Sequence, residues 1–275
     1  MNTLSSNGEL HGTVALVTGG GRGMGLAIVD ELLKNGAYVS LIDINKEIRN
    51  NAISELEIKY KLSSKSRLIF IKCDVTNEIE FEDSFKKTIE QFGKINIVVN
   101  NAGIMTKYMT SWELAIDLNY KAVVRGTMLG LKYIENNEDK KSAVINVASI
   151  VGLSNTVLPI YQSTKRAVIE FTKSIGCPFN SKATGNNVRV MAICPGATFD
   201  GFENNIEGKN ALQQEIEDLI TSGEEIPNPN RILIIQSTDY YKAAFLHIMK
   251  NGKNGEVWIA ENEQPPRLTH FSTQY

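Results

Sequence analysis

The chain of 275 residues has only three cysteines, Cys73, Cys177 and Cys194, and no C-x-x-C spacing. That argues against both a disulfide framework and a metal cluster, and it points to a reducing compartment. Neither sign of charge prevails, with 29 Lys and Arg against 31 Asp and Glu and a formal net charge of -2. Lacking a like-charge block that could grip a phosphate backbone, the chain is not expected to take nucleic acid as a partner. No uncharged apolar stretch approaches the roughly 18 residues of a membrane helix. Met1 to His11 are polar and lack the apolar core of a secretory signal. These absences predict a soluble cytoplasmic protein with no membrane span. A fixed repeat period is also missing, which removes solenoids and propellers.

What is present is material for a large core. Hydrophobic residues make up 42% of the chain, with 10 Phe and 9 Tyr, so extended disorder is ruled out and one domain over residues 1–275 is expected. Short Val- and Ile-rich runs alternate with stretches of helical periodicity, the rhythm of βαβ units. Strands are predicted at Val14 to Val17, Tyr38 to Ile42, Leu68 to Ile71, Ile95 to Val99, Ala143 to Val147, Val188 to Ile193 and Val257 to Ala260. Their near-continuous apolar character suits a sheet covered on both faces. The expectation is an α/β fold with a mostly parallel, doubly wound sheet of seven strands. From Thr198 to Arg231 the pattern loosens, and this segment reads as a substrate lid.

Between the first strand and the helix carrying Leu26, Ile28, Val29, Leu32 and Leu33 lies Thr18-Gly19-Gly20-Gly21-Arg22-Gly23-Met24-Gly25. Glycines there let the backbone approach a pyrophosphate, while the helix N-terminus supplies N–H donors. Its position between strand and helix reads as a Rossmann-type dinucleotide loop, the alternative being an ordinary glycine-rich turn. Asp43, followed by Ile44, ends the second strand eighteen residues after Gly25, where a carboxylate accepts from both ribose hydroxyls and favours NAD. Arg22 carries the opposing reading, as a partner for the 2′-phosphate of NADP or simply a solvated loop charge. A 2′-phosphate against Asp43 would cost on the order of several kcal/mol when partly desolvated, so NAD is preferred. Asp74 and Val75 after the third strand, and Asn101, Ala102 and Gly103 after the fourth, share the same rim. Their alternatives are helix capping and turn formation.

Tyr161 and Lys165 are four apart and face one side of a helix. A phenol with an ordinary pKa of about 10 is a poor base at neutral pH, but a nearby ammonium and the positive ring of the oxidised cofactor stabilise its phenolate. Ser149, twelve residues before Tyr161, either polarises a substrate oxygen or caps a turn. Asn119, inside the helical segment Trp112 to Ile134, is either an exposed interior Asn or a water-anchoring link in a proton relay.

Together these motifs resemble the short-chain dehydrogenase/reductase family over residues 11–260. Thr18 to Gly25 resembles its T-G-x-x-x-G-x-G turn, Asn100 to Gly103 its N-N-A-G element, and Asn119, Ser149, Tyr161 and Lys165 its catalytic tetrad. Within the family, Asn119-Tyr120, Gly126 to Leu131, Ile193-Cys194-Pro195-Gly196 and His270-Phe271 are most similar to the NAD-dependent 15-hydroxyprostaglandin dehydrogenase-like and insect alcohol dehydrogenase-like members. The resemblance implies hydride transfer, with Tyr161 as acid/base, Lys165 lowering its pKa and binding the nicotinamide ribose, Ser149 orienting the oxygen and Asn119 holding the relay. It also implies that Pro195, Gly196 and Thr198 lie at the nicotinamide end, and that the protein pairs into a homodimer or homotetramer. Two positions depart from the pattern. Asp200 stands where the family places Thr, and Leu158 where prostaglandin dehydrogenases place Gln. Val151, Leu153, Leu158, Phe199 and Phe202 are mostly apolar and either surround a hydrophobic secondary alcohol or ketone or simply pack the core. The remaining alternatives are a non-catalytic dinucleotide-binding protein and an NADPH-dependent carbonyl reductase.

Overall fold

A computed structural model describes residues 8–48, 53–62, 67–105, 111–134, 141–154, 158–180, 187–199 and 236–269. Apolar runs with no polar face fold as strands buried on both sides. They are β1 (Val14–Thr18), β2 (Tyr38–Asp43), β3 (Leu68–Lys72), β4 (Ile97–Asn100), β5 (Ala143–Val147) and β6 (Arg189–Pro195). Two short strands follow, β7 (Thr198–Phe199) and β8 (Gln236–Ser237), which pair parallel with each other, and then β9 (Val257–Ala260) and β10 (Arg267–Leu268). The main sheet has the order β10-β9-β6-β5-β4-β1-β2-β3 and is parallel except for β10.

Between the strands run α1 (Gly23–Lys34), the single turn α2 (Lys46–Ile48), α3 (Ser54–Tyr60) and α4 (Glu78–Phe92). Next come α5 (Trp112–Ile116), α6 (Ala122–Tyr133), α7 (Pro159–Ile175) and α8 (Thr238–Asn251). Strand side chains alternate between two layers. Ala15, Val17, Ile145 and Val147 pack with Ile28 and Leu32 of α1 and Tyr241 and Phe245 of α8. Leu16, Val98 and Val144 pack with Phe81 and Phe85 of α4 on the other face. Each such apolar side chain removed from water contributes about 1.5–3 kcal/mol.

The expected architecture is observed, with one correction in count: the main sheet has eight strands rather than seven. The extra strand, β10, is two exposed residues on the sheet edge, Arg267 and Leu268, and carries no apolar signal to read. The helix expected from Trp112 to Ile134 is interrupted by a π-helical turn, Asp117–Lys121, centred on Asn119. Of the expected lid, only Thr198 and Phe199 fall within the described residues, where they form β7. Its remainder, with Asp200 and Phe202, lies outside them.

Two features of this sheet position a site. Successive strands move one way from β1 through β2 to β3 and the other way from β4 onward, so the loops after β1 and β4 part at a topological switch point. A buried polar chain also ties α7 to the sheet. Asn100 Nδ2 donates to Asn146 Oδ1 (2.8 Å), Asn146 Nδ2 to Thr172 Oγ1 (3.0 Å), and Thr127 Oγ1 to Asn146 Oδ1 (3.1 Å).

Candidate active site

The loops after β1 and β4 are locked together. Thr18 Oγ1 accepts the backbone N–H groups of Asn101 (3.0 Å) and Ala102 (3.1 Å), and Asn101 Nδ2 donates to the carbonyls of Thr18 (3.0 Å) and Gly19 (3.1 Å). Gly19 has φ +62°, in the left-handed region, and a Cβ there would stand 2.9 Å from Ala102 Cα. A Cβ on Gly25 would fall 2.1 Å from Gly19 O, so the last glycine of the motif serves close packing of α1 onto its own loop. The side-chain amide of Asn101 thus holds the glycine loop from the end of β4.

At the end of β2, Asp43 Oδ2 accepts the Gly21 N–H (3.1 Å) and Oδ1 accepts the Asn45 N–H (3.1 Å). The carboxylate is thereby fixed against the glycine loop, with Ile44 exposed beside it. Arg22 is exposed at the position preceding α1. Asp74 accepts from the backbone N–H (2.9 Å) and hydroxyl (2.7 Å) of Thr76, and the side chain that caps α4 is that of Asn77. Val75 is buried in the core against Phe81 and Phe85.

The proton-transfer candidates lie in the π turn (Asn119), just after β5 (Ser149) and on α7 (Tyr161 and Lys165). Lys165 is 4% exposed, its Nζ donates to Val147 O at 2.9 Å, and it lies 5.6 Å from the centroid of the Tyr161 ring. Burial pushes its pKa from the usual 10.5 down to about 8. Among the described residues no carboxylate pairs with it; its titratable neighbour is the thiol of Cys194, which burial pushes up to about 12 and so keeps uncharged at neutral pH. A Cβ on Gly103 would lie 3.1 Å from Asn119 Oδ1 and 3.5 Å from Lys165 Nζ, so the glycine of the Asn-Asn-Ala-Gly loop makes room for both.

Asn119 is completely buried rather than exposed. Its Oδ1 accepts the Ile104 N–H (2.8 Å), and its Nδ2 donates to Ile104 O (2.8 Å) and Thr164 Oγ1 (3.3 Å). The π turn swings this side chain inward, a device frequent at functional sites. Thr164 Oγ1 in turn donates to Tyr161 O at 2.8 Å, linking Asn119 to the turn that carries Tyr161. Ser149 is 7% exposed and its Oγ accepts the Val151 N–H at 3.2 Å.

Of the residues expected to line a substrate pocket, Leu158 is buried at the position preceding α7 and Val151 is half-buried. Leu153 instead lines a separate hollow of about 440 Å³ with Arg166, Ile169 and Ile259, whose wall includes none of Ser149, Tyr161 or Lys165. Phe199 lies in β7, and Phe202 is outside the described residues. Sequence reasoning missed Thr164, hidden inside the Tyr161–Lys165 spacing, and Gln236, which donates to Thr198 Oγ1 at 3.0 Å and whose sequence surroundings give no signal.

Residues 13–210 match the family model for short chain dehydrogenase. The chain belongs to this family. It is 35% identical over 211 residues to 15-hydroxyprostaglandin dehydrogenase (NAD+) of Macaca fascicularis, covering 76% of this chain and 77% of that protein. It is 33% identical over 208 residues to 3beta-hydroxysteroid dehydrogenase 2 of Eggerthella lenta, covering 72% of this chain and 75% of the relative. The fold matches the crystal structure of a short chain dehydrogenase/reductase from Burkholderia phymatum in complex with NAD, with TM-score 0.73 and 18% identity over 92% of this chain and 90% of that one. Like other members of the short-chain dehydrogenase family, the chain therefore joins a doubly wound sheet to an oxidoreductase motif set.

Proposed function

We propose that this family member is an NAD-dependent dehydrogenase of a hydrophobic secondary alcohol, with Tyr161 as acid/base. The observation that carries the reading is a buried ammonium, Lys165, beside the Tyr161 ring and with no carboxylate partner among the described residues. The residues also fit a dinucleotide. α1 follows the glycine loop directly and begins with no side-chain cap at Arg22, so its first-turn N–H groups can meet a pyrophosphate. Asp43, held at the same loop, suits ribose hydroxyls and opposes a 2′-phosphate. Gly19, Gly21, Gly23, Met24, Gly25, Ile44, Ala102, Gly103, Pro195, Gly196 and Thr198 complete the crevice in this reading. The relative from Macaca fascicularis, an NAD(+) 15-hydroxyprostaglandin dehydrogenase, supports the cofactor.

When bound, the oxidised nicotinamide supplies the acceptor for the carbinol hydride. The chain's own residues handle the proton and the geometry. With a pKa of about 8, Lys165 remains largely ammonium at neutral pH and favours the Tyr161 phenolate. The phenolate oxygen takes the substrate hydroxyl proton as the carbonyl forms, and the Ser149 hydroxyl donates to the same substrate oxygen. Asn119, braced on Ile104 and Thr164, fixes the loop after β4 around Lys165. Prostaglandin, steroid and cyclopentanol dehydrogenases among the relatives support a lipid- or ring-bearing alcohol. Leu158 leaves the prostaglandin hydroxyl without a polar partner, so prostaglandins are not singled out.

The test is NAD reduction by purified protein across fatty, steroid, retinoid and prostanoid alcohols. Turnover with at least one class, lost roughly 10²–10⁴-fold in Tyr161→Phe with NAD binding retained, is the expected result. No turnover with any alcohol, and identical behaviour of Tyr161→Phe, would sink the assignment in favour of a non-catalytic binding protein. Pairing into a homodimer is supported by exposed Trp112, Leu114, Ile116 and Met128 along α5 and α6. A reducing cytoplasm suits the free thiols of Cys73, Cys177 and Cys194.

A further inference from the structure

Gln236 is completely buried, and it reaches three segments of chain. Its backbone N–H donates to Ala197 O (2.9 Å), and its Nε2 donates to Thr198 Oγ1 (3.0 Å) and Ala260 O (2.9 Å). Ala260 O also accepts the Gly196 N–H (2.8 Å), and Thr198 Oγ1 donates to Gly196 O (3.0 Å). A Cβ on Gly196 would stand 2.7 Å from Glu261 Cβ, so this turn presses directly on the end of β9. One side chain thus fastens Gly196-Ala197-Thr198 to both β8 and β9. The orientation of the amide is determined by its partner: a backbone carbonyl can only accept, so the nitrogen must face Ala260.

The other end of that amide is Oε1, buried and meeting no donor among the described residues. Burying an acceptor without a donor is unfavourable, so an apolar side chain of the same length would carry a smaller stability penalty here. The gain from Gln236 is therefore sought in what its nitrogen holds. The turn it fastens leaves the C-terminal end of β6, next to the end of β5, where Ala148 N donates to Ile193 O at 2.8 Å and Cys194 is buried beside Lys165. The Gly196 turn and the Lys165–Tyr161 pair therefore share one rim of the crevice.

We propose that Gln236 is a positioning residue for the nicotinamide end of the cofactor site, acting through Thr198 and the Gly196 turn. This rests on the reading that the crevice holds NAD. Because the effect is confined to one end of the dinucleotide, it separates two ligands that differ only there. NADH carries the nicotinamide; ADP-ribose does not.

Binding of both is measured by calorimetry for wild type, Gln236→Met, Thr198→Val and Thr198→Ser, with thermal melting alongside. A turn that, once unfastened, keeps its nicotinamide-side position only about a tenth of the time predicts that Gln236→Met weakens NADH about tenfold. ADP-ribose affinity stays at the wild-type level, and the melting temperature barely moves. Thr198→Val removes the same contact from its other side and reproduces the effect, whereas Thr198→Ser, which keeps the hydroxyl, restores NADH affinity. The Thr198 pair carries the test if Gln236→Met does not fold. Equal weakening of both ligands would overturn the proposal in favour of a general loosening of the fold, and so would unchanged NADH affinity in both Gln236→Met and Thr198→Val. If wild type binds neither ligand, the NAD reading itself fails, and this inference with it.

Discussion

Replacing Lys165 by Met is expected to stabilise the ligand-free protein while disabling it. Burial moves the Lys165 pKa from 10.5 to about 8. At 1.36 kcal/mol for each tenfold change in proton affinity, holding the charge inside the fold costs about 3 kcal/mol at any pH below about 8. The sign follows from proton counting. Between about pH 8 and 10.5 the unfolded chain keeps a proton that the folded chain has released, so stability rises with pH across that window by the same amount. Met removes this penalty but also removes the bond to Val147 O at 2.9 Å, a loss of about 1 kcal/mol. The variant is therefore about 2 kcal/mol more stable than wild type at pH 7, and about 1 kcal/mol less stable once pH exceeds 10.5.

Urea unfolding of both proteins at a series of pH values measures this difference, and titrating groups away from Lys165 cancel because the two chains share them. A difference that favours wild type at pH 7 and stays constant through pH 10 would refute the claim that Lys165 is held as a buried, uncompensated cation. If the claim stands, the stability cost is the reservoir from which function draws. Bound ligand hydroxyls and a Tyr161 phenolate would supply the missing partners, so NAD+ should raise the melting temperature of wild type more than that of the variant.

Two further outcomes are expected. Asp43→Ala removes the carboxylate that meets the Gly21 N–H at 3.1 Å, and should weaken NADH about tenfold while raising the NADPH-to-NADH affinity ratio, read by fluorescence titration. An unchanged ratio would separate Asp43 from cofactor choice. Placing a charge on the exposed apolar face with Met128→Glu should shift the protein from dimer to monomer in sedimentation, with the far-ultraviolet spectrum retained. A wild type that sediments as a monomer would remove the pairing surface.

The sheet was legible because each strand is a short apolar run with turn residues behind it, and two strands, Ala143–Val147 and Val257–Ala260, begin and end where the runs do. Elsewhere the limits moved by one or two residues, since Thr18, Asp43 and Asn100 are polar yet continue the ladder. Asn119 was legible as a candidate but not in its setting. Helix propensity places an interior Asn outward, and only the extra residue of a π turn brings it to 0% exposure. Asn101 shows the reverse case: the motif is visible, but its amide faces the glycine loop rather than the crevice. Gln236 could not be read at all, because its side chain meets Thr198 and Ala260, 38 and 24 residues away.

The placement of Lys165 explains why so much polarity is buried around α7. A catalytic pair is useful only if its geometry holds to a fraction of an ångström, and a helix packed by apolar contacts alone can slide between nearly equivalent packings. Here Thr172, two turns after Lys165, is held by Asn146, which is held by Asn100 at the end of β4. Thr164, one residue before Lys165, is held by Asn119 from the π turn. α7 is thus pinned by directional bonds on both sides of its lysine, and the strand that supplies one anchor, β4, also supplies the loop that grips the glycine turn. Cofactor loop and proton-transfer residues are consequently referenced to a single strand, so a shift of either one relative to the other would have to break buried hydrogen bonds.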